Sequence, residues 1–250
     1  MLNKVIHGVP GRSSPLLIAH GLFGSARNWG AIAKRLSDRG EVTAVDMRNH
    51  GLSDRKGSQS YFDMADDLAE SLKEPSDVIG HSMGGKAAMV LALKYPEKLK
   101  KLIVADIAPV VYQHTQSHLI EAMRGVDLTQ VETRRDADDL LKAQVPEDGV
   151  RAFLLQSIDV KEKKWRLNLD VLDAEMDKII GFPEFNARAF DGPTLFLSGA
   201  GSDYVLPEHR DTIRALFPKA RFAKIPNAGH WLHAENPRAF EANVRVFLDA

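Results

Sequence analysis

Ile79-Gly80-His81-Ser82-Met83-Gly84-Gly85 lies between an apolar run that opens at Ser76 and a helical pattern from Lys86 to Lys94. It reads Gly-x-Ser-x-Gly in the context where that pattern has a mechanical meaning. A strand must reverse into a helix within a few residues, which leaves the serine exposed at the apex. Gly80 and Gly84 are needed because a side chain two residues to either side would collide across the turn. The helix that follows points its free N–H groups at whatever Ser82 binds. Ser82 is therefore the candidate nucleophile, and the Met83 N–H is a candidate donor to an oxyanion.

Outward from this stretch, short apolar runs alternate with helical patterns. Leu16 to Ala19, Val42 to Val45, Leu102 to Ala105, Thr194 to Leu197 and Ala220 to Ile225 read as buried strands, and Leu2 to His7 as a short edge strand. Asn28 to Arg39, Tyr61 to Leu72, Pro207 to Phe217 and Pro237 to Leu248 carry helical spacing. Such alternation implies parallel βαβ units and a doubly wound sheet. It stops between about Val110 and Phe182. There the sequence predicts four helical stretches, roughly His114–Arg124, Thr133–Gln144, Gly149–Ile158 and Leu169–Ile180, with a charged link at Lys161-Glu162-Lys163-Lys164. The expected organisation is an α/β core made of residues 1–109 and 183–250, with a helical cap at 110–182 over the carboxyl edge of the sheet, where ligands bind.

Composition narrows the function. Basic and acidic residues nearly balance, 33 against 34, with no long block of one sign, so a nucleic-acid partner has no electrostatic footprint. Cysteine is absent, which removes disulfides, thiolate catalysis and Cys-based metal sites. No stretch is apolar enough to span a membrane, and the first ten residues do not read as a signal peptide, so a cytoplasmic protein is expected. No cofactor is expected either. The Gly-rich turn His20-Gly21-Leu22-Phe23-Gly24-Ser25 lacks both the Gly-Lys-[Ser/Thr] ending and the Gly-x-Gly-x-x-Gly register of nucleotide loops. Oligomeric state is not readable from the sequence.

A serine hydroxyl requires a base within hydrogen-bond reach. Among nine histidines the best candidate is His230, in Asn227-Ala228-Gly229-His230-Trp231, a turn after the last strand. His233 forms a His-x-x-His pair with it, but without His-Glu-x-x-His or cysteine no metal is expected. The third member, which orients the imidazole, has two candidates. Asp106 ends the strand Leu102 to Ala105, and Asp203 follows Thr194 to Leu197 in a Gly-rich turn. Both end strands on the carboxyl edge, and spacing does not choose between them. The turn at 20–25 offers the second oxyanion donor, for which Leu22 is the candidate. Phe23, Trp165 and Trp231 are candidate substrate contacts, while Phe153, Leu154 and Leu169 are apolar cap positions whose orientation the sequence does not give.

Taken together, His20 to Ser25, Asp46-Met47-Arg48-Asn49-His50-Gly51-Leu52-Ser53, Gly80 to Lys86, Asp106-Ile107-Ala108-Pro109, Trp165-Arg166 and Gly229 to Glu235 resemble an α/β-hydrolase along the whole chain. More narrowly they resemble the YbfF-type bacterial carboxylesterases. The resemblance implies a four-helix cap inserted after the sixth strand and a serine carboxylesterase acting on small to medium acyl esters, with acyl-CoA thioesters as a second substrate class. In that group the acid follows the sixth strand, here Asp106; most α/β-hydrolases use one after the seventh, here Asp203. The resemblance favours Asp106 and keeps Asp203 as the alternative. Enol-lactone or C–C bond hydrolysis on the same three residues is the alternative chemistry, and Arg124, Arg151 and Arg166 are available for an anionic substrate. A non-catalytic ligand-binding protein of this fold is the third reading.

Overall fold

The computed structural model describes residues 1–11, 13–185 and 188–250. Its centre is a seven-stranded sheet whose strands are β1 (Lys4–His7), β2 (Leu16–Ala19), β3 (Val42–Val45), β4 (Ser76–His81), β5 (Leu99–Ala105), β8 (Thr194–Gly199) and β9 (Ala220–Ile225), in the order β1-β3-β2-β4-β5-β8-β9. Only β1 runs antiparallel to its neighbour. The strand that the resemblance counts as sixth is the fifth in chain order here.

The two faces of β2 show why these strands lack polar alternation. Leu17 and Ala19 face one core cluster while Leu16 and Ile18 face the other, so every position is buried. One face is covered by α1 (Gly30–Leu36) and α11 (Pro237–Asp249) through Ile32, Leu36, Phe240 and Val244. The other carries α2 (Tyr61–Ser71) and α3 (Met83–Lys94) through Met64, Leu68, Met89 and Val90. α9 (Arg210–Leu216) adds Ile213 to that second cluster. The short α10 (Leu232–Glu235) adds Leu232 to the first. Caps fix the starts: the Ser60 side chain accepts from Asp63 N–H at the head of α2, and Asn236 accepts from Ala239 N–H before Pro237 on α11.

Between β5 and β8 lie α4 (Ser117–Arg124), α5 (Arg134–Leu141), α6 (Asp148–Leu154), a hairpin of β6 (Ile158–Asp159) and β7 (Lys164–Trp165), α7 (Leu169–Ala174) and α8 (Met176–Ile180). This differs from four helices. The third stretch ends at Leu154, and Ile158 pairs with Trp165 in the hairpin. The charged link is the turn of that hairpin: Lys163 takes a left-handed φ of 49° and Asp159 Oδ1 accepts from Glu162 N–H. The fourth stretch is broken at Glu175, where φ is −102° and ψ is 10°.

Lys86 ties both ends of this inserted stretch to α3. Its Nζ donates to Val110 O at 2.9 Å, Ile180 O at 2.8 Å and Gly181 O at 2.6 Å. The side chain is buried, and burial pulls its pKa down from 10.5 to about 7. Lys86→Met leaves three carbonyls without their donor and is expected to destabilise the fold by ~2–3 kcal/mol. The pH dependence has a definite sign. Since the folded value lies below the unfolded one, unfolding takes up a proton between about pH 7 and 10.5, and this group adds stability as pH rises through that window. The gap in Tm between wild type and Lys86→Met, measured by thermal unfolding, should therefore be wider at pH 9 than at pH 6.

Candidate active site

Register places the site. Ala19 pairs with Gly80, His81 with Ala105, and Ala105 with Leu197. The residues that follow, His20, Ser82, Asp106 and Ser198, thus emerge in line on the carboxyl edge. His230 arrives in the turn after β9. Among the described residues, no helix is long and apolar enough to cross a membrane.

Ser82 has φ 51° and ψ −121°, a conformation that L residues rarely adopt. It is held by Ser82 N–H donating to Ala105 O at 3.0 Å and by Lys86 N–H donating to Ser82 O at 3.0 Å. The flanking glycines are required by approach: a Cβ on Gly80 would fall on Gly84 O, and one on Gly84 on His20 O and Ala19 O. Three other site loops also carry a left-handed non-glycine residue, Phe23 with φ 63°, Asp106 with φ 52° and Asn227, before His230, with φ 53°. Strain of this kind persists only where the surroundings over-determine the backbone.

His230 lies between the other two candidates. Its Nε2 is 3.1 Å from Ser82 Oγ, and its Nδ1 is 2.7 Å from Asp106 Oδ2. Asp106 is fully buried and accepts two further bonds, from Gly199 N–H at 3.0 Å and Ser202 Oγ–H at 2.5 Å. A buried carboxylate with three donors is compensated where an isolated one would not be. The carboxylate that touches His230 is Asp106, whereas Asp203 is exposed at the surface. An imidazole so placed can take a proton from the serine while the carboxylate holds its tautomer and stabilises the cation that forms.

Three residues that support His230 went unread in the sequence. His81 donates from Nε2–H to His230 O at 2.8 Å and fixes the loop. Burial, then the neighbouring His230 and His233, hold His81 well below the usual histidine range. Tyr204 stacks on the His230 ring with centroids 4.1 Å apart, and Ser202 anchors Asp106. No spacing rule links such partners. For His81 the only local signal was its place beside the nucleophile. His233 lies against Trp29, ring centroids 4.0 Å apart and nearly parallel, and burial lowers its pKa to about 3.

A cavity of about 280 Å³ opens over Ser82 and is lined by Leu22, Met83, Phe23, Phe153, Trp231 and Ile179 among others. Phe153 and Trp231 pack together at 5.3 Å. Trp165, expected as a substrate contact, does not line it. Its indole is buried within the inserted stretch and donates from Nε1–H to Met123 O at 2.9 Å, because a buried indole N–H needs an acceptor. The three arginines are engaged elsewhere: Arg124 with Glu121, Asp170 and Asp173, Arg151 with Asp138 and Asp148, and Arg166 with Asp159. None of the three lines the cavity.

The chain is similar to known proteins over nearly its whole length. A family model described as alpha/beta hydrolase fold matches residues 14–237. Esterase YbfF of Escherichia coli is 40% identical over 243 residues, covering 95% of this chain and 94% of its own. The mouse protein named sn-1-specific diacylglycerol lipase ABHD11 is 42% identical over 248 residues, 93% of this chain and 80% of that one. Among solved structures, one described as a marine microorganism esterase superposes with a TM-score of 0.93 at 37% identity, covering 98% of each chain.

Proposed function

Because this chain belongs to the α/β-hydrolase fold family, in company with esterases and lipases, we propose that it is a serine carboxylesterase for small to medium acyl esters, with acyl-CoA thioesters as further substrates. One observation carries the reading: a single imidazole bridges Ser82 Oγ and the buried Asp106 carboxylate. In the proposed mechanism Ser82 Oγ attacks the acyl carbonyl as His230 Nε2 takes its proton. The Leu22 and Met83 N–H groups hold the oxyanion. His230 then protonates the leaving alcohol or thiol, and the same imidazole activates the water that releases the acid from the acyl-enzyme.

Residues 110–182 act as the cap in this reading, and the acyl chain lies against Phe23, Phe153 and Trp231. The volume of about 280 Å³ and its apolar walls suit an acyl group better than a dicarboxylate. Engagement of Arg124, Arg151 and Arg166 in ion pairs weighs the same way, against an anionic lactone or dienol substrate.

A fluorophosphonate probe tests the proposal, followed by a series of p-nitrophenyl esters and acyl-CoA thioesters graded by chain length. Rapid labelling at Ser82, with turnover highest for short to medium acyl chains, is the expected result. A folded protein that neither labels nor hydrolyses any member of the series would make it a ligand-binding protein instead.

A further inference from the structure

Two buried histidines outside the proposed catalytic group hold the loop that carries Leu22. Met47 N–H donates to His20 Nε2 at 2.9 Å, so the proton of that ring is on Nδ1, which lies 2.7 Å from Gly21 O. Phe23 N–H donates to His50 Nε2 at 3.1 Å, so the proton of the second ring is on Nδ1, 2.8 Å from Arg48 O. A backbone N–H has only one role, and each tautomer follows from it. The rings meet edge to face with centroids 5.1 Å apart, and both are buried. Burial lowers His20, and burial together with His20 lowers His50 to about 3, so both rings are neutral at pH 7.

The bonds fall on either side of one amide. Gly21 O accepts from His20 and also from Gly24 N–H at 3.0 Å. The Gly21–Leu22 peptide is planar and trans, so fixing its carbonyl on the His20 side turns the Leu22 N–H the opposite way. The next amide is fixed at Phe23 N–H by His50, against the cost of a φ of 63° at Phe23. Gly21 abuts the nucleophile: a Cβ there would lie 3.1 Å from the Ser82 Cβ. Other groups lean on the same loop. Ser157 Oγ–H donates to Phe23 O at 2.9 Å, and Ala26 N–H donates to Asp46 Oδ1 at 2.7 Å. Neither touches the Leu22 amide.

We propose that His20 and His50 are positioning residues that hold the Leu22 N–H in the direction an oxyanion on Ser82 requires, a role that rests on the esterase reading above. They act through the backbone, since both nitrogens of each ring are hydrogen-bonded to main-chain atoms. Preorganised donors stabilise charge without reorganising as it forms, so the effect belongs to the transition state rather than to substrate binding.

Two measurements test this. The first uses the unaltered protein: long-range ¹⁵N–¹H correlation of the histidine rings at pH 7 should show His20 and His50 neutral and protonated at Nδ1. An Nε2–H tautomer or a charged ring at either position would overturn the proposal whatever the enzyme does. The second compares His50→Phe, which keeps a ring but has no acceptor, with His50→Gln, which restores one. For p-nitrophenyl butyrate, His50→Phe should lower kcat roughly 10- to 100-fold with KM within about twofold. A trifluoromethyl ketone, which forms a tetrahedral adduct with an oxyanion, should bind His50→Phe more weakly by a similar factor, while the matching methyl ketone should not. His50→Gln should recover most of the loss. If His50→Phe does not fold, His50→Gln decides alone: both inhibition constants within about twofold of wild type, or a loss confined to the trifluoromethyl ketone, support the role, and a larger, equal weakening of both ketones overturns it. A folded His50→Phe with unchanged kcat also overturns it and leaves the esterase reading intact. Failure of the wild type to hydrolyse any ester or label at Ser82 would remove that reading itself.

Discussion

Ser82→Ala is expected to lower kcat/KM for p-nitrophenyl butyrate about 10⁴- to 10⁶-fold while leaving the protein folded. Oγ is the only atom that can form the acyl bond in the proposed mechanism, and its partners act on nothing once it is gone. The backbone at residue 82 is held by Ala105 O and Lys86 N–H, neither of which involves the side chain. The folded state loses one hydrogen bond, to His230 Nε2, worth roughly 1 kcal/mol. Thermal unfolding should show a Tm within a few degrees of wild type, and fluorophosphonate labelling should vanish. Activity within about tenfold of wild type that co-purifies with the variant would end the serine mechanism.

Asp106→Asn should lower kcat about 10³- to 10⁴-fold, and Asp203→Asn less than twofold. The difference lies in which atoms carry hydrogens. Gly199 N–H donates to Asp106 Oδ1, so an asparagine there keeps its carbonyl oxygen towards Gly199 and turns its NH₂ towards His230 Nδ1. That ring nitrogen must then accept, which moves the proton to Nε2, beside Ser82 Oγ. An imidazole in this tautomer cannot take the serine proton, and no carboxylate stabilises the cation. Asp203 faces solvent and makes no such demand. Steady-state kinetics of the two variants, with Tm as a control for the buried substitution, separate the two acids. Equal losses, or the reverse order, would reassign the third member.

Legibility tracks how local each signal is. The turn that presents Ser82 was readable because seven consecutive residues encode a strand reversing into a helix. His230 was readable because a glycine turn after the last strand leaves few alternatives. The strands were readable because two-sided burial writes itself as unbroken apolar runs. Asp106 and Asp203 were not separable by spacing, for both end strands on one edge; what distinguishes them is burial and the three donors around Asp106, which come from residues more than ninety positions away. Tyr204 and Ser202 were missed for the same reason. Helix spacing over-read the inserted stretch because Phe153, Leu154, Leu155 and Ile158 satisfy a helical period. The chain instead turns at the charged link and pairs Ile158 with Trp165. That pairing draws the Trp165 indole into local packing and away from the cavity.

Because Val110 O and Gly181 O converge on the Lys86 Nζ, the residues between them leave and rejoin the core at a common point. Their two ends are thus set by one contact, while Ser157 Oγ–H to Phe23 O and Tyr61 Oη–H to Ile179 O seat the rest on the core. On the esterase reading, transplanting this stretch from a relative, cut where Val110 and Gly181 meet Lys86, offers a route to exchanging acyl preference while Ser82, His230 and Asp106 stay where they are.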